Sequence, residues 1–369
     1  MLLVCTLLIG GNTSARSQTG PATASAPEGT VVQEYARGLH FPVDMVHVPG
    51  TRKIFFTEKN TGQVRVMRKR RVLETPCVDL KVFNDGERGA AGITLHPNYA
   101  TNHWLYVYFS SNVHDDNRIA RFKVENNLCT NRKIIFEDIP TAPTHNGGQL
   151  EFLDGYLFVS TGDAQSAVDA QDTTGVAGKV LRLNANGSIP EGNPFDNAVW
   201  SYGHRNPFGL AARQEPAQLF ESENGPTCAD ELNFIEEGLN YSWGEGATKG
   251  QAYADYQEDY CAAPPPQETP PLVSWGDGDD NETDPTIVPT DMVWYRGPLD
   301  AADDRLLMGA FKLGAIYSFN VDASGQLVGA PKVLHDGPRY VLDVARGPGG
   351  WVYYLTISGM YRIVETSAR

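Results

Sequence analysis

Residues 200–210 read WSYGHRNPFGL, and residues 223–233 read ENGPTCADELN. Together they set Arg205, Asn206, Asp230 and Glu231 beside two glycine-bearing turns, each edged by aromatic or apolar side chains. A guanidinium is a planar fork that matches a carboxylate. Carbonyls turned outward by a tight turn, together with carboxylates, are the ligands hard cations such as calcium take. The pattern therefore predicts a site for an anionic ligand accompanied by a cation. The plain alternative is a surface loop in which Arg205 pairs with Asp230 or another acid. Residues 144–150 read THNGGQL and lead into a strand-like run, EFLDGYLFVSTGD. Glycines beside His145 remove side chains that would crowd it, and an imidazole suits proton transfer near neutral pH. A structural histidine is the alternative there.

The elements that must position these residues are strands. Short β-branched or aromatic runs (KIFFTE, QVRVM, WLYVYFS, YLFVSTG, KVLRL, AIYSFNV, WVYYLTI) alternate with Gly, Asn, Asp and Pro clusters, and no long amphipathic helical stretch occurs. This spacing predicts many antiparallel strands joined by turns. The repeated cadence of strand, turn and strand predicts radial repetition, as in a β-propeller. A chain of 369 residues can hold two ordinary domains or one large all-β domain.

Acidic residues number 45 against 30 basic ones, a net charge of −15. A nucleic-acid partner is excluded, because phosphate neutralisation needs a basic face. The dense basic run RVMRKRR at 65–71 reads as a solvated hairpin. The acidic run GDGDDNETD at 276–284 lacks the EF-hand pattern and reads as a solvated loop. The first 18 residues read as a secretory signal, too short to span a bilayer; Val4 before Cys5 argues against lipidation. Residues 19–30 read as a disordered leader and 31–369 as a single domain, with no membrane span and a secreted or periplasmic location. With Cys5 removed, Cys77, Cys129, Cys228 and Cys261 remain. An even count in a secreted chain predicts two disulfides in one of three connectivities, of which proximity favours Cys77–Cys129 and Cys228–Cys261. No Cys/His spacing suits zinc. Asn186, Asn240 and Asn281 lie in glycosylation sequons, relevant in a eukaryotic source.

Three more stretches, ERGAAGITLHPNY at 87–99, KVLRLN at 179–184 and NYSWG at 240–244, complete a set whose order and spacing carry information. With GHRNPFGL, ENGPTCADELN and THNGGQL, the chain resembles the glucose/sorbosone dehydrogenase family over residues 35–363. These are soluble quinoproteins that oxidise sugars with pyrroloquinoline quinone (PQQ) and calcium. The resemblance implies an all-β fold, a six-bladed β-propeller of four-stranded antiparallel blades. It implies an aldose dehydrogenase that oxidises the C1 hydroxyl of a sugar to a lactone and passes electrons to a quinone, dye or cytochrome. His145 matches the family's general base. Arg205 and Asn206 match its cofactor-site pair, with Arg205 also stabilising negative charge that develops on the reduced quinone. The Gly225 and Pro226 carbonyls match its calcium ligands. Asp230, Thr286, Lys312 and Arg339 fall where cofactor-contacting residues occur, while Glu231 beside Asp230 reads as a support of the turn.

The chain also departs from that pattern. Glu87 stands where Gln is common, with Arg88 beside it as a candidate partner for the carboxylate. Thr144 stands where Asp is frequent before the histidine. Leu342 replaces an arginine, Phe208 a glutamine, and Asn224 a His or Gln. These substitutions keep two alternatives open: a non-enzymatic propeller binding glycans or proteins after losing PQQ, and a calcium lactonase-like propeller. A lactone needs no cations, whereas PQQ carries three carboxylates, so Arg205, Lys312 and Arg339 facing inward would favour the quinoprotein. Substrate choice is expected to lie in the loops at 96–98, 163–172 and 276–284.

Overall fold

A strand covered on both faces is apolar at successive positions rather than at alternate ones. The runs Lys53–Glu58, Trp104–Ser111, Tyr156–Thr161, Gln218–Glu223, Arg305–Ala310 and Val352–Thr356 have that character, and all are buried almost throughout. In the computed structural model, which describes residues 26–276, 285–337 and 340–366, each is the second strand of one of six antiparallel sheets. The sheets are the blades of a propeller. Their innermost strands are Pro42–His47, Ala90–Leu95, Gly147–Leu153, Pro207–Arg213, Pro289–Tyr295 and Asp343–Arg346. Each packs on the next, and the last returns to the first, closing a ring around a central channel.

Ring closure is non-local. Thr30–Arg37 pairs with Gly359–Glu365 and becomes the outermost strand of the sixth blade. A turn in which Thr30 donates to the Pro27 carbonyl at 3.0 Å leads into it. The first blade carries an additional short strand, Val78–Asp79, beside Gln63–Arg68. The basic run at 65–71 is a hairpin in that blade, as its sequence suggested, with Lys69 and Arg70 in the left-handed region.

The core is divided among the clefts between blades. One apolar cluster joins the first and second blades through Phe55, Val66, Val107 and Phe122. Five more fill the remaining clefts around the ring. Truncating a fully buried side chain in one of them, such as Phe55 or Leu306, costs about 3–5 kcal/mol because the rigid sheets cannot collapse into the void. A seventh cluster, with Trp243, Tyr256 and Tyr260, lies under the helix Tyr253–Ala262. That helix lies between the last two strands of the fourth blade.

Both sequence-favoured disulfides form. Cys77–Cys129 ties the rim of the first blade to the outermost strand of the second, and Cys228–Cys261 ties the 223–230 turn to the helix. Asn186 is exposed, whereas Asn240 is buried and bonded to Gln171 and Glu245, which bars it from glycosylation. Asn281 lies outside the described residues, as do the signal segment and 277–284. Among the described residues no helix is long and apolar enough to cross a membrane.

Candidate active site

The topology delivers the candidate residues to one end of the ring. At that end every innermost strand begins and every second strand turns into the third. Glu87, His145, Asn206 and Thr286 precede innermost strands, while Lys59, Asp163, the 223–230 turn and Lys312 occupy the turns.

His145 is held from both sides of its backbone. Its N–H donates to Glu87 Oε2 at 2.7 Å, and its carbonyl accepts the Ala164 N–H at 3.0 Å. Its φ is +62°, a region costly for a residue with a side chain and found where surroundings over-determine it. Gly162 makes this possible, since a Cβ there would lie 2.0 Å from the His145 carbonyl oxygen.

The His145 ring is aimed by Asp163, whose carboxylate is saturated. Oδ1 lies 3.0 Å from His145 Nδ1 and accepts the Gln165 N–H at 2.8 Å. Oδ2 accepts the Trp243 indole N–H at 2.7 Å and the Tyr253 hydroxyl at 2.6 Å. Tyr253 spends its single proton on Asp163, so its contact with His145 Nδ1 at 2.8 Å needs the proton on Nδ1. The tautomer follows: Nδ1 carries hydrogen, and Nε2, which has no partner among the described residues, presents a lone pair. Lys179 stiffens the loop from below. Its buried ammonium donates to the carbonyls of Asp169, Ala170 and Ala177.

Arg205 lies across from this pair. Nη1 donates to the Asn224 and Gly225 carbonyls at 2.8 Å each, and Nη2 to Gln257 Oε1 at 2.6 Å. Nε is buried and meets no acceptor among the described residues. Glu223 anchors the backbone beneath: Oε1 accepts the N–H groups of Arg205 and Asn206, and Oε2 lies 3.0 Å from His204 Nδ1. His204 Nε2 pairs with Ser201 Oγ at 2.9 Å. Burial, reinforced by the Glu223 charge, pushes Glu231 up to about 8 and Glu221 well above the usual carboxylate range; Gln267 donates to Glu231 at 2.6 Å.

Asp230 does not bridge to Arg205. It accepts three backbone N–H groups, from Gly225, Ile287 and Val288, and burial pushes it up to about 6. It thus knots the 223–230 turn to the segment entering the fifth blade. Gly225 is required in that turn because a Cβ would lie 1.9 Å from the Cys228 carbonyl oxygen. Lys312 lies in the turn at 311–314 and donates to Thr286 Oγ1 at 3.0 Å. Arg339 lies outside the described residues.

The departures find local explanations. Glu87 Oε2 serves His145 and the Asn206 amide, the latter at 3.2 Å. Arg88 does not partner it; Arg88 forks onto Asp85 at 3.1 and 2.5 Å. Lys59 feels the Glu87 charge; its Nζ donates to the Gly86 and Arg88 carbonyls, and burial pushes it down to about 8. Thr144 accepts the Gln165 amide, Asn224 donates to the Pro289 carbonyl, and Leu342 packs in the apolar cleft between the sixth and first blades.

Several participants were not singled out from sequence: Lys59, Asp163, Trp243, Tyr253 and Gln257. Asp163 falls in a segment read for substrate choice, and NYSWG, which holds Trp243, was noted as a motif without a role. Tyr253 and Gln257 come from a helix whose sequence carries no chemical signature.

The residues fit an anionic group with a cation. Arg205 has an unfilled buried donor, Lys312 and Lys59 stand on the same rim, and the Asn224 and Gly225 carbonyls already face a positive charge. The family model for glucose/sorbosone dehydrogenases matches residues 39–364. An aldose sugar dehydrogenase of Escherichia coli is 27% identical, over 94% of this chain and 95% of that protein. The apo structure of the soluble aldose sugar dehydrogenase from Escherichia coli superposes with a TM-score of 0.77 at 25% identity, covering 91% of this chain and 99% of that one. The PQQ-bound aldose sugar dehydrogenase of Streptomyces coelicolor shares the fold at a TM-score of 0.75 and 24% identity, covering 92% and 99%. On this match and the rim geometry that accompanies it, the chain belongs to the glucose/sorbosone dehydrogenase family.

Proposed function

We propose that the protein oxidises the C1 hydroxyl of an aldose to the lactone, with PQQ and calcium as cofactors. The observation that carries this reading is the hydrogen-bond set that fixes the His145 tautomer and leaves Nε2 without a partner among the described residues, in a site where Arg205 Nε is an unfilled donor. Arg205, Asn206, Thr286, Lys312 and Arg339 would hold the PQQ carboxylates and edge, with Asp230 setting the turn and the Gly225 and Pro226 carbonyls facing the calcium. When bound, the calcium-activated quinone supplies the hydride acceptor. The chain supplies the rest. His145 Nε2 takes the proton from the anomeric hydroxyl, and the Asp163 carboxylate steadies the imidazolium that forms. Arg205 holds its positive charge where negative charge develops, in a site partly closed to water. Electrons then leave for an external quinone, dye or cytochrome. Two disulfides support a secreted or periplasmic location.

The test is titration of the apo-protein with PQQ and calcium, followed by quinone absorbance and by dye reduction with a panel of aldoses. Calcium-dependent binding with sugar-driven reduction is expected. No binding at micromolar PQQ with excess calcium overturns the reading in favour of a propeller that binds without oxidising.

A further inference from the structure

Three aspartates project into the channel from three different blades. Asp44 lies on Pro42–His47, Asp291 on Pro289–Tyr295 and Asp343 on Asp343–Arg346. All three are buried, and an oxygen from each lies within 4.8 Å of the others. Glu151, on the innermost strand of the third blade, is close enough for its charge to act on Asp291 and to feel Asp44. The charges of Asp44 and Asp343 oppose that of Asp291, Asp291 also hydrogen-bonds Asp343, and among the described residues no Lys, Arg or His ion-pairs with any of the four.

Backbone groups fill only part of this cluster. Asp44 Oδ2 accepts the Ile93 N–H at 2.6 Å, and Asp343 Oδ2 accepts the Met45 N–H at 2.8 Å. Among the described residues, no backbone group and no side chain other than an acid donates to Asp291 Oδ1 or Asp343 Oδ1, both buried. Buried carboxylate oxygens are otherwise satisfied in folded proteins, so two together need a cause.

We propose that Asp44, Asp291 and Asp343 bind a divalent cation of the calcium class in the central channel, separate from the rim site. The donor set is all oxygen, with no imidazole or thiolate, which selects a hard cation over zinc or copper. Calcium takes oxygens at about 2.3–2.6 Å, so ligands on opposite sides of it lie about 5 Å apart or less, which the spacing of the three carboxylates allows. Water completes the shell. The ion removes the repulsion among the carboxylates and ties the first, fifth and sixth blades across the point where the ring closes. The competing arrangement is a proton shared between Asp291 and Asp343 with no metal.

The experiment uses the full chain, stripped of metal by chelation and free of PQQ, so its result is independent of the rim reading. Bound calcium is counted by equilibrium dialysis, and the unfolding midpoint is followed as calcium or magnesium is added. The expected result is one calcium per chain, a midpoint that rises with calcium more than with magnesium, and loss of both in Asp291→Asn/Asp343→Asn. The metal-free double variant should melt no lower than the metal-free native chain. A native chain indifferent to calcium establishes the shared proton and overturns the proposal. A double variant that keeps the same stoichiometry and midpoint shift places the ion elsewhere and overturns it as well. If the double variant does not fold, Asp343→Asn alone must weaken calcium binding by at least about tenfold through loss of one charged ligand; an unchanged affinity refutes the site.

Discussion

The acids at the rim and the acids in the channel are buried to similar extents but live differently. Asp163 is met by four donors, Asp230 by three backbone N–H groups, and Glu223 by two N–H groups and His204. In the channel, Asp291 and Asp343 each keep an oxygen that no donor reaches. The rim acids are the hubs of a preorganised site, and their charge is already matched by the protein. The channel acids lack such matching donors, and burial pushes Asp291 and Asp343 well above the usual carboxylate range. The difference teaches that burial alone does not assign a carboxylate its role; the inventory of donors around it does.

That contrast breaks first at Asp163. In Asp163→Asn an amide NH₂ must face donors that an oxygen now accepts, and His145 loses the partner that fixes its tautomer. Sugar-driven dye reduction should fall by about 10²–10⁴-fold, and stability by about 2–3 kcal/mol from the stranded donors. His145→Ala should lose turnover by a similar factor, about 10²–10⁴-fold, while PQQ affinity stays nearly unchanged. Arg205→Ala should weaken both turnover and PQQ binding. Full activity in His145→Ala would remove the base assignment. Glu223→Gln comes next. The Arg205 and Asn206 N–H groups keep one acceptor, but His204 faces an amide in place of a carboxylate. About 1–3 kcal/mol should be lost in denaturant unfolding, with PQQ affinity lowered through a looser Arg205.

Much of this contrast could be read from sequence on one side and hardly any on the other. His145, Arg205, Asn206, Gly225 and Asp230 stand in motifs where glycine, proline and charge crowd into a few positions, because a turn at a blade end needs them together. The strands were legible because two-faced burial writes long apolar runs. The blade count came from family resemblance, since periodic strands do not state how many close a ring. Asp44, Asp291 and Asp343 were invisible. Each is a lone acid in an ordinary strand on its own blade; Asp291 and Asp343 meet through neighbouring blades, and ring closure brings Asp44 to them from the far end of the chain. Asp163 and Tyr253 were missed for a related reason: what they do depends on a contact between separate loops. Arg88 was expected beside Glu87 because it is adjacent in sequence, yet its guanidinium turned to Asp85, three residues away on the same turn.

Glu87 provides a smaller test. In Glu87→Gln the amide oxygen can keep both the His145 N–H and the Asn206 amide, so only the charge assistance is lost, about 1 kcal/mol. Removing that negative charge from the rim should tighten PQQ binding severalfold at low salt, and less at high salt as screening rises. A weakened affinity would show that Glu87 positions Asn206 more than it repels the cofactor.

The smallest expected change, and the one of opposite sign, is Asp44→Asn in metal-free protein. Asn keeps an oxygen for the Ile93 N–H, and the amide can donate toward the unfilled oxygens of Asp291 or Asp343. A charge that opposed its neighbours becomes a donor to them. Stability measured by denaturant unfolding without calcium should be unchanged or rise by up to about 1 kcal/mol, the net worth of one new buried hydrogen bond. Asp163, Asp230 and Glu223 should never behave this way, because both oxygens of each already have donors and an amide there creates a clash of donors. A loss of more than about 2 kcal/mol, the cost of a stranded buried polar group, would mean that Asp44 is satisfied as it stands. The channel and the rim would then be built on the same principle.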